Sequence, residues 1–262
     1  MSGPQSETTL APHRKWPLVL AASAIWLVAW QVVAMVVNQA IVVASPIQVV
    51  VALWGLVTKA SFWGTAWTTF WHIGTGFVLA ICLGTLLAWV ATLHRFADAL
   101  LAPPIRAMRS VPVVSFIILL LIWGGSAWLS TIVSCLMVLP VAFDNIGVGL
   151  REAPVELRQM THVFKVPPWR AFRAVTVPAV LPFLIAACRV GVGLAWKSGI
   201  SAEVIGLPAG TIGDRLNMAK LYLATGDLFA WTVVIVVLGL GTEKLVLWLL
   251  DRAGHRLQGD AQ

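Results

Sequence analysis

From Phe62 to Leu93 the chain carries no Asp, Glu, Lys or Arg. At 1.5 Å per residue a helix of that length is longer than the ~30 Å hydrocarbon core of a bilayer. The rest of the chain is built in the same way, with 59% hydrophobic and 11% charged residues and a mean hydropathy of +0.88. A water-soluble domain has too few polar residues at this composition to cover its exterior. Fourteen Trp against one Tyr fit helices whose ends sit at the bilayer interface, where indole is favoured. The chain is therefore an integral membrane protein.

Apolar runs separated by polar breaks predict six spans. The first runs from Leu18 to Val37 and is retained, with no small-residue cleavage site after it. Ser45-Pro46 opens an interfacial helix to Thr58. The second span is Phe62 to Leu93, on which Trp63, Trp67 and Trp71 form one stripe of anchoring and packing residues. A polar break from His94 to Arg109, with Pro103-Pro104, precedes a short third span, Val111 to Trp123, whose start reaches back toward Met108. Gly124-Gly125-Ser126 is a tight turn. The fourth span is Ala127 to Phe143 and the fifth Ala179 to Ile200. A mixed loop from Ser201 to Asp227 leads to the sixth, Leu228 to Leu250. The expected organisation is an all-α polytopic membrane protein: a tail over 1–17, one transmembrane domain over 18–250, and a tail over 251–262.

Charge orients it. Arg14 and Lys15, the Arg95/Arg106/Arg109 break, the Arg151, Arg158, Lys165, Arg170 and Arg173 segment, and Arg252 and Arg256 would share one side. The opposite loops hold Lys59, Arg215 and Lys220. The positive-inside rule makes the richer side, with both termini, cytoplasmic. The net charge of +7 has the same origin, since no basic cluster interleaved with aromatics points to nucleic acid.

Catalytic and metal chemistry find no support. Cys82, Cys135 and Cys188 lie in apolar runs without CxxC spacing and read as small buried hydrophobes, and the five His form no paired motif. A phosphate loop needs GxxxxGK[ST]; the nearest approach, Gly191 to Ser198, has Trp196 before the Lys and lies in a span. The chain is expected to be neither an enzyme nor a cofactor carrier.

Arg151 to Arg173 is the charged segment with a shape of its own. Pro154 suits a first helical turn. Leu157, Met160 and Phe164 then fall on one face with Val163 alongside, and Pro167-Pro168 ends the helix. Such a stripe either packs on the protein's own loops or the lipid interface, or offers a docking surface. Arg189, Lys197 and Glu203 lie in or near the fifth span and fit one helix side. They line a pore or partner helix, or serve structural roles as caps and snorkelling groups. Gly74, Gly76, Gly84, Gly191, Gly193 and Gly199 suit close helix packing or sliding surfaces.

These residues resemble the permease subunits of binding-protein-dependent ABC importers, most closely the nitrate, sulfonate and taurine type. That family carries a cytoplasmic signature: EAA, three residues, Gly, nine residues, then I-x-L-P. Gln159-Met160-Thr161 stands at the EAA, Lys165 at the Gly, and Val175-Thr176-Val177-Pro178 at the I-x-L-P. The likeness continues through Pro182, Cys188-Arg189-Val190-Gly191, Ala195-Trp196 and Ala202-Glu203, and covers the chain from about Ser45 onward. It implies that Leu157, Gln159, Met160, Thr161, Val163, Phe164, Lys165 and Pro178 belong to a coupling helix seated on a separate ATPase. It also implies a homodimer, two ATPase subunits, an extracytoplasmic solute-binding protein, and a solute such as a sulfonate, taurine, nitrate or a thiamine precursor. The chain departs from the signature at Gln159, which offers no charge for a salt bridge, and at Lys165. A non-glycine there costs on the order of 1 kcal/mol if the turn is left-handed. The competing expectation, an ion-gradient-driven transporter, would call for buried acids or paired broken helices; apart from Glu203 and Glu243, near span ends, no membrane acid appears.

Overall fold

In the computed structural model, which describes residues 16–39, 41–152 and 154–259, every regular element is a helix. The tail expected over 1–17 lies outside the described residues through residue 15. Three long helices form the centre: α3 (Ala60–Leu93), α6 (Leu129–Glu152) and α9 (Val177–Gly206). Ile73 and Phe77, Val138 and Ala142, and Val192 and Trp196 meet there as one apolar core. In lipid there is no hydrophobic drive between helices, so close approach decides which faces meet. Gly76 lies against the Thr131 carbonyl, Gly84 against Ala142, Gly191 against Val138 and Gly199 against Ile73. Gly74 and Gly193 face open space, so four of the six expected packing glycines pack within the chain.

The remaining elements surround this core. α11 (Thr225–Gly259) covers α9, with Gly239 beside the Trp196 ring and Ile235 and Leu238 packed against the core. α2 (Pro46–Val57) starts on a capping box, with Ser45 and Gln48 each accepting from the other's backbone N–H. α1 (Trp16–Val37) is long enough to cross a membrane and almost wholly exposed. Its Trp30 indole donates to the Ala44 carbonyl at 3.1 Å and stacks on Phe229. Trp63, Trp67 and Trp71 are exposed on the outside of α3. Cys188 is buried as expected, but Cys82 is exposed on a bundle exterior that suits lipid, where an apolar side chain needs no protein cover.

The expected break at His94–Arg109 is instead the helix α4 (Arg95–Ser110), with Pro103 and Pro104 inside it. The proline pair hid its amphipathic period, which buries Ile105. Two ion pairs fasten α4 to α6: Arg109 to Asp144, with Arg109 also donating to the Pro140 carbonyl at 2.9 Å, and Arg151 to Asp98 at 2.9 Å. The third apolar run does not reach back to Met108. Val111, extended as a residue before proline should be, ends α4, and α5 (Val113–Gly124) leaves at 104°. α5 alone rises about 18 Å, too little to cross. Among the described residues five helices therefore have spanning length, or six if the bent pair α4–α5 is one broken span. The expected turn is present, with Gly125 at φ 69°. α6 extends past Phe143 to Glu152 because Asp144 is paired rather than free in lipid. The expected loop over 201–227 is the end of α9 followed by α10 (Ile212–Leu221).

Candidate coupling surface and the helix behind it

α7 (Val155–Val163) begins just after Pro154, at the end of the bundle that carries α4 and its ion pairs. Its apolar face is uncovered within the chain: Leu157 is 45% exposed, Met160 53%, Val163 75% and Phe164 72%. Gln159 is exposed and Thr161 half-buried. The helix closes through a left-handed residue. Lys165 has φ 50°, the Val166 N–H donates to the Thr161 carbonyl at 2.9 Å, and the Phe164 N–H donates to the Met160 carbonyl at 2.9 Å. A bond spanning five residues across a left-handed position is the Schellman closure, in which glycine is usual. The turn shape that a glycine would permit is thus retained with Lys in its place.

The cost of that substitution can be measured. In the membrane-reconstituted protein, Lys165→Gly should leave the Val166 amide protected from hydrogen exchange. Lys165→Val, β-branched in a left-handed conformation, should raise its exchange on the order of 10-fold, for a cost of about 1–2 kcal/mol. Equal exchange in both variants would contradict the strained turn.

From Lys165 the chain turns back toward the core. Pro167 is extended, α8 (Pro168–Ala171) follows, and Phe172–Thr176 forms a π-helical turn that runs into α9. Pro178 is the second residue of α9, directly after the π turn. Trp89 of α3 stacks on Phe172 with centroids 5.5 Å apart and planes 11° from parallel. A groove of about 220 Å³ lies beside this stack, lined by Ile146, Val180 and Leu184 among others. The segment is therefore joined through the π turn directly to α9, which continues for about 45 Å.

The three ionisable residues of α9 do not act as one group. Arg189 and Lys197 are exposed, and their side chains have no hydrogen-bond or ion-pair partner among the described residues. Glu203 is fully buried. Its Oε2 accepts from the Thr69 hydroxyl at 2.9 Å and from the Gly213 N–H at 3.2 Å. Thr69 in turn accepts from the Ile212 N–H at 2.9 Å. Burial without donors would be costly for a carboxylate; here one donor is the Gly213 N–H at a helix terminus and the other the Thr69 hydroxyl of α3. Thr69 and Gly213 carry no signal in the sequence, since Thr69 is 134 positions from Glu203 and nothing local marks it. The described residues contain no cluster of His, Cys, Asp and Glu suited to a metal ion.

Comparison with known proteins places this architecture. A sequence model described as "Binding-protein-dependent transport system inner membrane component" matches residues 76–256. The putative aliphatic sulfonates transport permease protein SsuC of Bacillus subtilis is 26% identical over 92% of this chain and 88% of its own length. The nitrate import permease protein NrtB of Synechococcus elongatus is 25% identical over 86% and 85%. The riboflavin transport system permease protein RibX of Chloroflexus aurantiacus is 27% identical over 80% and 81%. In fold, the chain resembles a crystal structure of an amino acid ABC transporter, with a TM-score of 0.52 at 17% identity, over 72% of this chain and 90% of the other. The chain is a multi-pass transport component, not an enzyme. It belongs to the family of inner membrane components of binding-protein-dependent transport systems.

Proposed function

We propose that the chain forms one half of a homodimeric pore that imports a small solute, with Leu157, Met160, Val163 and Phe164 seated on a separate ATPase. The observation that carries this reading is the uncovered apolar face of α7, held at one end of the bundle by a closed turn and joined through the π turn to α9. An apolar stripe on an otherwise charged helix is costly in water unless a partner covers it. The charge distribution supports a cytoplasmic position for that face and for both termini. Gln159 enters the contact as a hydrogen-bonding group without charge. A solute-binding protein would deliver its cargo at the opposite end. ATP binding would draw the ATPases together and shift α7, one conformation of a two-state pore being favoured by ligand bound elsewhere.

The cargo class we infer is a small oxyanion or amphiphilic nitrogen compound. Relatives named for aliphatic sulfonate, nitrate and bicarbonate transport support the anionic part of that class. The exposed Arg189 and Lys197 would suit it if they face the pore. The test is uptake by proteoliposomes holding the permease and its ATPase, with the binding protein outside and an alkanesulfonate, nitrate or bicarbonate as trial solute. Uptake should require ATP on the ATPase side and persist when a protonophore collapses the proton gradient. Uptake driven by that gradient without ATP would overturn the reading.

A further inference from the structure

The N–H groups in the first turn of α10 have no acceptor within their own helix. The Ile212 N–H donates to Thr69, the Gly213 N–H to Glu203 and the Asp214 N–H to the Thr211 hydroxyl at 3.4 Å. Two of these three thus go to other helices: the Gly213 N–H directly to the Glu203 carboxylate, and the Ile212 N–H to the Thr69 hydroxyl, which itself donates to that carboxylate. A carboxylate also suits the positive end of α10. Gly213 lies so close to α9 that a Cβ there would overlap the Glu203 backbone, its carbonyl oxygen being 2.7 Å away. The Glu203 Oε1 and the neighbouring Ser130 hydroxyl of α6 are buried without a hydrogen-bond partner among the described residues. A carboxylate this completely buried, with one oxygen spent on a neighbouring helix, is an expensive way to fill space.

What α10 carries explains where that hold would matter. Its Arg215 and Met218, with Lys59, Tyr222, Asp227 and Trp231, line a cavity of about 330 Å³ at the end of the bundle away from α7. α9 runs without interruption between these two ends, from the π turn to Glu203.

We propose that Glu203 is a positioning residue for transport: it locks α10 to α9, so that displacement of α9 at the α7 end reaches the far cavity as movement of α10. This rests on the coupling reading above. Thr69 is the second half of the lock, holding α10 to α3 and the carboxylate in register. The requirement is for an acceptor rather than a charge, because a Gln oxygen can accept from Thr69 and Gly213 while its amide donates to Ser130.

The experiment uses the permease–ATPase complex in nanodiscs, in a Cys82→Ala background with Leu221→Cys as a reporter on exposed α10. Maleimide labelling is compared without nucleotide and after trapping with ATP and vanadate. With Glu203 intact, the labelling rate should differ at least threefold between the two states. Glu203→Gln should keep that difference. Glu203→Ala and Thr69→Val should abolish it while the ATPase still copurifies. Persistence of the difference in either of those variants, its loss in Glu203→Gln, or its absence with Glu203 intact would overturn the lock. If Glu203→Ala does not accumulate in the membrane, Thr69→Val carries the test. Failure of the ATPase to copurify with the otherwise unaltered permease would be a separate result, against the coupling reading itself.

Discussion

Phe164→Asp should leave the permease folded in the membrane and strip it of its ATPase. The side chain is 72% exposed, so the substitution removes no packing from the bundle, and its position at the end of α7 leaves the Schellman turn intact. In a docked complex the same ring would be buried, which contributes about 1.5–3 kcal/mol. Asp forfeits that contribution and adds the cost of desolvating a carboxylate without a partner, several kcal/mol in an apolar groove. Together these correspond to a loss of association of at least 100-fold. Copurification should fall to background and ATP-driven uptake with it, whereas Phe164→Leu should keep most of both. Met160→Asp should follow Phe164→Asp, because the two residues lie on one face a turn apart. Normal recovery of the ATPase with Phe164→Asp would remove α7 as the coupling surface.

The helix α7 and the position of the turn that closes it were legible because their information is local. Pro154, the apolar positions from Leu157 to Phe164 and the Pro167-Pro168 stop lie within one helical stretch, and a fixed spacing leads on to Pro178. The shape of the turn at Lys165 stayed open in the sequence, because a lysine at a glycine position fits either a left-handed residue or a different turn before Pro167-Pro168; the φ of 50° at Lys165 makes it the first. α4 was not legible, because Pro103-Pro104 argues against a helix that its contacts with α3 and α6 sustain. Asp144 looked like the polar limit of a span until Arg109, 35 positions earlier, supplied its partner. Glu203 was visible as an acid near the end of a span, but neither its burial nor its partners were. Those partners, Thr69 and Gly213, reach it from other helices, and helical periodicity within α9 grouped it with Arg189 and Lys197, which burial separates from it.

At the crossing of α3 and α6, a single methyl group on α3 should cost much of the stability. At Gly76 a Cβ would run into the Thr131 backbone carbonyl and come within 2.9 Å of the Ser134 Cβ. Neither can turn aside, since the first is main chain and the second is fixed to it. The same crossing is held by the Thr131 hydroxyl, which donates to the His72 carbonyl at 2.9 Å, so separating the helices also lengthens a hydrogen bond. Overpacking of this kind costs about 1–3 kcal/mol, and here the lost hydrogen bond adds to it. Gly76→Ala should therefore lower the detergent melting temperature and the yield of monodisperse protein. Gly199→Ala should do so less, because its Cβ would meet the Ile73 side chain at 2.6 Å and the Ser134 hydroxyl at 2.6 Å, groups with rotamers to yield into. Gly74→Ala and Gly193→Ala, with nothing within 4 Å, should cost the fold nothing measurable. Helix propensity alone would favour alanine at all four positions by about 1 kcal/mol. The order Gly76, then Gly199, then Gly74 and Gly193 thus isolates interhelical distance from propensity, and four equal melting temperatures would mean that α3, α6 and α9 do not pack as described.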